Sequence, residues 1–330
     1  MIVLCDCPER LAGLAGIEDG AETRVDRLPP SEQALWRVLG GTGRPWRGVS
    51  PGPGPPGFWS HAVVVSEAPS SQFDVLRESL AGALQLPGPT ACVALSGRGF
   101  HGQRGRPWLS APGNLHMCVA FPSPPLVARE ALSLPMLPAL AVVDAVRVVT
   151  GGALRPGIKW VNDLLVDGHK IGGVLTATQV RADRIDAILL GIGVNVATAP
   201  PVPPTPFVPL VGCLAEAGVK TTWAEVAFSV MTALGRRMGD LAVHGPGALL
   251  DAYRASSLVI GQEVCVFSDS QPGETRVGAT PPLRGTVRDI AADLSLVLEG
   301  VETPVTSGRL AFAEDCRDSA PGPEGPTEPT

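Results

Sequence analysis

No stretch of the 330-residue chain is apolar over the roughly 18 consecutive residues that suggest a membrane span. The opening MIVLCDCPER has no basic region ahead of its short apolar run, so neither a span nor a secretory leader is expected. No CxxC pair occurs among the seven scattered cysteines, which argues for reduced, mostly buried thiols, and Cys5 and Cys7 are too close for ordinary metal spacing. Basic charge is also short: 26 Lys and Arg stand against 32 Asp and Glu, a net charge of −6, whereas phosphate-backbone affinity needs clustered cations. Residues 1–57 carry no helix-turn-helix pattern, so no nucleic-acid partner is expected. No Ser or Cys constellation reads as a covalent nucleophile. What remains is a globular, cytoplasmic protein without a membrane partner, 45% hydrophobic and long enough for about two domains.

Residues 1–57 read as a Gly- and Pro-rich extension with one short helix capped by Ser31, closed by the linker SPGPGPPG at residues 50–57. HAVVV from His61 predicts a strand, and Phe73, Leu76, Leu80 and Leu84 share one side of a following helix. TACVAL and NLHMCVAF predict further strands, and residues 139–149 a buried helix ended by Gly151 and Gly152. Asp167-Gly168 marks a hairpin turn, since both positions tolerate positive φ, and a second turn at residues 181–183 extends the hairpin into an antiparallel meander. Two helices follow, from Trp223 to Leu241 and from Pro246 to Ala255. From Gly261 onward short strands predict a small β-barrel, and the Pro/Gly/Glu-rich tail at 316–330 predicts disorder. The whole reads as α+β rather than a doubly wound sheet.

Two segments carry chemistry. GRGFHGQRGRPW, residues 97–108, gathers Arg98, Arg104 and Arg106 on a glycine-rich loop. It contains GxGxxG, yet Gly102, Gly105 and Pro107 prevent a helix from starting and no acid lies about 20 residues on, so a dinucleotide fold is not expected. Glycines that let N–H groups approach an anion, with arginine forks beside them, suit phosphate or carboxylate; a solvated surface loop fits equally well. KWVNDLLVDGHKIGGVL, residues 159–175, sets Lys159, Lys170 and Asp163 on the hairpin, where the lysines could also be ordinary edge charges. Gly172 and Gly173 mark a close approach, to ligand or to another backbone. His101, His116 and His169 suit neither a zinc site nor a triad.

These segments, with WLSAPGNL after the first and GIGVNV at residues 191–196, resemble the biotin protein ligases of the biotin/lipoate protein ligase superfamily. The resemblance implies a catalytic domain of class II aminoacyl-tRNA synthetase-like type with a mixed or antiparallel sheet, residues 58–258, followed by an SH3-like β-barrel, residues 259–315. It implies a ligase that makes biotinyl-adenylate from biotin and ATP with Mg2+, then passes biotin to a lysine of a biotin carboxyl carrier domain. By the same match Lys170 and Asp163 are catalytic. Ser70, Ser71, Gln72, Arg98, Gly99, Arg104, Arg106, Trp108, Lys159, Asn162, Gly172, Gly173, Gly191, Gly193 and Asn195 bind biotin or the adenylate. Helix capping is an equal reading for Ser71. The loop is expected to be mobile until the adenylate orders it, and residues 1–57 to be dispensable. The sequence departs from the family's pattern in about three extra residues around Phe100 to Gly102, in Ala94 for a glutamine, in Val161 for a proline and in Thr176 for an acid. A lipoate or octanoate ligase, or a binding protein without turnover, would share much of this pattern.

Overall fold

A strand buried on both faces is a nearly continuous apolar run, and three neighbouring segments have that character: His61–Val65, Thr90–Ala94 and Leu115–Phe121 are each buried throughout. They form the middle of the sheet. In the computed structural model, which describes residues 1–11, 18–82, 84–124, 126, 128–268 and 281–316, the chain runs β1 (Ile2–Cys5), β2 (Glu18–Glu22), α1 (Pro30–Val38), β3 (Trp46–Val49), β4 (His61–Val65), α2 (Gln72–Gly82), β5 (Thr90–Ala94), β6 (Leu115–Pro122), α3 (Met136–Val149), β7 (Gly157–Lys159), β8 (Asp163–Val166), β9 (His169–Arg181), β10 (Arg184–Val194), α4 (Trp223–His244), α5 (Gly247–Ala255), β11 (Glu263–Phe267), β12 (Leu283–Ile290), β13 (Leu296–Leu298) and β14 (Arg309–Phe312). Of the expected tail at 316–330, residues 317–330 lie outside the described residues.

Ten strands make one mixed sheet in the order β2-β3-β1-β4-β5-β6-β10-β9-β8-β7. Strand alternation divides the core. Val63 and Val65 of β4, with Cys92 and Ala94 of β5, meet Leu35, Trp36, Phe73 and Leu76 of α1 and α2. The intervening Ala62, Val64, Ala91 and Val93 face the other layer, where α3 and α4 pack together and an Arg237–Asp144 ion pair of 2.8 Å joins them. The Glu130–Val149 stretch is apolar enough to cross a membrane by composition, but 67% of it is buried inside the protein, as a core helix should be. Thr222 and Glu225 close a reciprocal capping box at the start of α4.

One expectation is corrected here. Residues 1–57 are not an extension hung on a linker: β1 lies inside the sheet, parallel to β4 from Ile2↔His61 to Cys5↔Val64 and antiparallel to β3. The Gly/Pro run at 50–57 is the surface connection from β3 to β4. The other predicted strands and helices stand close to where the sequence puts them. Asp167 and Gly168 take φ of 48° and 78°, as the hairpin turn requires, and Ala182 sits at 54° in the second turn.

After α5, four antiparallel strands form a second sheet in the order β13-β12-β11-β14. It is sewn to the first body. Trp160 Nε1 donates to the Leu294 carbonyl at 2.6 Å, Arg254 pairs with Asp289 at 2.7 Å, and Val264, Val266 and Val287 belong to the main core.

Candidate functional site

Between the β9–β10 ladder, the N-terminus of α2 and the arginine loop lies a cleft of about 280 Å³. Its floor is built from glycines. Gly173 and Gly193 face each other across the ladder, and the Trp108 indole lies over them: a Cβ on Gly193 would come 2.5 Å from the ring, and one on Gly173 would touch it at 3.5 Å. Beside this floor Gly191 leaves room for Phe73, so the apolar end of the cleft is a flat slot bounded by Phe73, Phe100, Trp108 and Leu175. Trp108 is held at its polar edge, where Nε1 donates to His116 Nδ1 at 3.3 Å. Burial pushes His116 down to about 4, so the ring is neutral near pH 7 and its Nδ1 is free to accept. Gln72 adds a polar group to the slot: it is buried, its Nε2 has no protein partner, and it lines the cleft.

The other end is cationic. Lys170 and Asp163 project from neighbouring strands and pair at 2.7 Å, each about four-fifths buried, with Nζ 5.9 Å from the centre of the Trp108 ring. The Lys170 backbone is clamped where β10 has ended. Its N–H donates to Leu210 O and its carbonyl accepts from Gly212 N, both at 3.0 Å, while Asn195 Nδ2 holds the Gly212 carbonyl at 3.0 Å. Arg106 lines the same end, and so does Arg309, which arrives from β14 of the second sheet. Asp163 is the one carboxylate among the described residues lining the cleft.

The arginine loop is a folded ribbon. Gly102 N donates to Arg106 O at 2.8 Å and Trp108 N to Phe100 O at 2.9 Å, around a turn in which Arg104 and Gly105 take φ of 60° and 70°. His101 ties the ribbon to α2 through a 2.6 Å contact with Asp74. Its ring is held above its ordinary pKa by the Gly102 carbonyl and the Asp74 carboxylate, although burial and Arg77 oppose them.

The sequence profile of the biotin/lipoate A/B protein ligase family matches residues 70–195, which span α2, the loop, the hairpin and β10. A biotin--[acetyl-CoA-carboxylase] ligase from Paracoccus denitrificans is 31% identical over 192 residues, covering 57% of this chain and 78% of that protein. The chain belongs to this family. The biotin--[acetyl-CoA-carboxylase] ligase of Mycobacterium tuberculosis is 29% identical over 250 residues, covering 74% of this chain and 84% of its own. The bifunctional ligase/repressor BirA of Bacillus subtilis is 30% identical over 194 residues, and the chain spans only 59% of its length. Among solved structures, a biotin protein ligase from Aquifex aeolicus in complex with biotin and ATP superposes with a TM-score of 0.58 at 21% identity, over 77% of this chain and 98% of that one, a likeness of fold.

Of the residues this family pattern singles out, Ser71, Gln72, Arg106, Trp108, Asn162, Asp163, Lys170, Gly173, Gly191, Gly193 and Asn195 line the cleft. Ser71 has both expected parts, since its Oγ also accepts from Asp74 N at 3.3 Å as a helix cap. Asn162 Nδ2 donates to Val174 O at 2.7 Å, which ties the connection between β7 and β8 to β9 at the open end of the hairpin. Six others do not line it. Ser70 is exposed, and Gly99 and Arg104 shape turns of the loop. Arg98 points outward, its side chain 82% exposed and 3.6 Å from Glu67. Gly172 makes room for backbone, because a Cβ there would meet the Gly193 carbonyl at 2.8 Å. Lys159 is buried, and its ammonium donates to the Phe207 carbonyl at 2.6 Å instead of facing the cleft.

Sequence reasoning missed three residues here. Asn114 Oδ1 accepts from the N–H groups of Val196, Ala197 and Thr198 at 2.9–3.0 Å, which pins the end of β10; the GNL segment that contains it was visible. His116 buttresses Trp108, a role that only tertiary contact reveals. Arg309 lies 139 residues beyond Lys170 with no motif around it.

Proposed function

We propose that the chain is an ATP-dependent biotin–protein ligase. The observation that carries this reading is the shape of one cleft: a flat, glycine-floored slot with the unpartnered Gln72 amide at one end, and Lys170, Arg106 and Asp163 at the other. A fused-ring ligand bearing a carboxylate fits the slot with its acid directed at Lys170. Two anions, that carboxylate and the α-phosphate of ATP, repel each other, and an ammonium between them removes the repulsion while neutralising charge that grows during attack. The carboxylate oxygen bonds to the α-phosphorus and the α–β bridging bond breaks, giving biotinyl-adenylate and pyrophosphate. The amine of a carrier-domain lysine then attacks the acyl carbonyl and AMP leaves.

Mg2+ is usually held by one or two carboxylates together with substrate phosphates, and Asp163 beside the cationic end suits that arrangement. A biotin carboxyl carrier domain is the acceptor we assign, in a cytoplasmic setting. We read residues 58–258 together with β1–β3 as the class II synthetase-like catalytic body, and 259–315 as an SH3-like barrel. The test is biotin-dependent exchange of labelled pyrophosphate into ATP, followed by transfer of biotin to a carrier domain. Exchange supported by lipoate or octanoate but not biotin would reassign the substrate within the family, and binding of biotin without exchange would refute the enzyme reading.

A further inference from the structure

We propose that Arg309, contributed by the second sheet, completes the cationic end of the cleft and binds the pyrophosphoryl portion of the nucleotide. This deepens the adenylating reading above and rests on it. Arg309 lines the cleft with Arg106, yet its Nε is buried with no hydrogen-bond partner. A buried guanidinium nitrogen without an acceptor is costly, and five N–H donors in a planar fork suit phosphate oxygens.

The surroundings fix the guanidinium without neutralising it. Its centre lies 3.6 Å from the centre of the Phe207 ring. Phe207 packs edge-on against Phe267 of β11 at 5.2 Å, and its carbonyl is held by Lys159. That bond gives Lys159 a part the sequence did not suggest: it steadies the platform on which Arg309 lies. Electrostatics agree with the geometry. Burial and the nearby Arg106 charge both depress the Arg309 guanidinium, and Asp163 only partly offsets them. Asp163 itself is already paired with Lys170. Two arginines that repel each other at the mouth of a partly desolvated cleft, with one committed carboxylate, form a receptor for a polyanion. When the α–β bond breaks, the leaving oxygen gains negative charge, which two flanking guanidinium groups would stabilise. A purely structural Arg309, stacked on Phe207 to join the two sheets, would affect stability but leave nucleotide parameters alone.

The experiment compares the wild type with Arg309→Met, which keeps length and a polarisable group over Phe207, and with Arg309→Lys, which restores charge without the fork. In biotin-dependent exchange, Arg309→Met should raise the KM for ATP and for pyrophosphate about tenfold or more, with the KM for biotin within about twofold, and Arg309→Lys should recover part of the loss. Calorimetric titration with inorganic tripolyphosphate tests the site without the reaction: the wild type should bind it, Arg309→Met about tenfold more weakly. If a folded Arg309→Met retains wild-type KM values for ATP and pyrophosphate, or if tripolyphosphate binds both proteins alike or neither, the proposal is wrong. Should Arg309→Met fail to fold, Arg309→Lys carries the same comparison, and equal tripolyphosphate binding there, with unchanged KM values, overturns it. Absence of exchange in the wild type would count against the ligase reading, while tripolyphosphate titration still decides the role of Arg309.

Discussion

The molecule holds two clusters of charged side chains that look alike in composition and differ in how they are finished. Toward the sheet edge formed by β2, β3 and β1, Glu32 of α1 lies between Arg47 of β3 and His61 of β4; both carboxylate oxygens accept from Arg47, at 2.8 and 3.0 Å, and His61 Nε2 stands 3.7 Å away. In the cleft, Asp163 is paired with Lys170, while Arg106 and Arg309 add positive charge with no further acid. The first cluster is closed: its two full charges, Glu32 and Arg47, answer each other, and only the His61 Nε2 beside them makes no hydrogen bond. The second has an excess of one sign and opens onto a cavity. Burial alone does not separate structure from function; an unanswered charge beside empty space does.

The harshest way to break the comparison is to remove the closed cluster with its strands. A chain beginning at Phe58 loses β1 and β3, strips Leu4, Leu35, Trp36 and Leu39 from the layer over Val63, Val65 and Leu76, and leaves the parallel edge of β4 unpaired. Each large buried apolar side chain contributes about 1.5–3 kcal/mol, so the four together are worth about 6–12 kcal/mol, comparable to the whole of the roughly 5–15 kcal/mol that holds a typical domain together. The truncated protein is expected to be insoluble or to lack a cooperative thermal transition. A soluble fragment with a native-like melt and exchange activity would show that the first three strands are an accessory after all.

Next in size is Lys170→Ala, which opens the functional cluster. A preorganised charge at the reacting centre is typically worth about 3 kcal/mol or more, so pyrophosphate exchange should fall roughly a hundredfold or further. Circular dichroism should stay close to wild type, while the melting temperature should fall, because Asp163 loses its partner at a site about four-fifths buried. Retention of most exchange activity in the folded variant would remove Lys170 from the reaction.

The contrast also explains what the sequence could and could not reveal. The hairpin was readable because its determinants are local: Asp167-Gly168 specifies the turn, and Gly172 and Gly173 announce a close approach, to the Gly193 backbone and to Trp108. The first three strands were not. IVLC and WRGV are four residues each, and their meaning lies in distant pairing, β1 with β4 about sixty residues on and β3 with β1, whereas the Gly/Pro run between β3 and β4 gives the local signal of a linker. Lys159 was misread for a related reason. It sits opposite Asp163 in the β7–β8 ladder, but its ammonium is captured by a carbonyl 48 residues on. Arg309 depends on contact between two sheets and leaves no trace in local pattern.

Glu32→Gln tests the closed cluster more gently. Breaking a fully buried pair costs roughly 3–5 kcal/mol; because the Arg47 side chain is one-third exposed and can reach water, about 2 kcal/mol is expected here, read as a lower melting temperature with KM for ATP unchanged. Acid should probe the same cluster. Burial pulls the Glu32 carboxyl up, but hydrogen bonds and charge from Arg47, aided by His61, outweigh it and leave the group below its ordinary value of 4.5. Its contribution is therefore complete above that value and lost as pH falls through the lower, folded pKa. His61 is depressed chiefly by burial, partly offset by Glu32, so its share is lost as pH falls below its ordinary 6.5. The wild type should weaken progressively on acidification, and Glu32→Gln should lack the lower limb of that curve. An unchanged pH–stability profile would mean that the cluster does not couple to folding.

The smallest expected effect belongs to Arg98, and it sharpens the rule most. Arg98 stands on the same glycine-rich loop as Arg106, only eight positions earlier, so a reading by composition treats the two alike. They differ in surroundings: Arg106 lines the cleft, whereas Arg98 is 82% exposed and 3.6 Å from an exposed Glu67, beyond hydrogen-bonding distance. An exposed pair of this kind is worth about 0–1 kcal/mol and is weakened further by salt. Arg98→Ala should therefore leave the KM for ATP within about twofold and melting nearly unchanged, while Arg106→Ala should raise that KM about tenfold by removing one of the two arginines facing the cavity. If Arg98→Ala proves the more damaging of the two, the loop must swing so that Arg98 enters the cleft when the nucleotide binds, and which cation faces the ligand could not then be read from the unliganded arrangement.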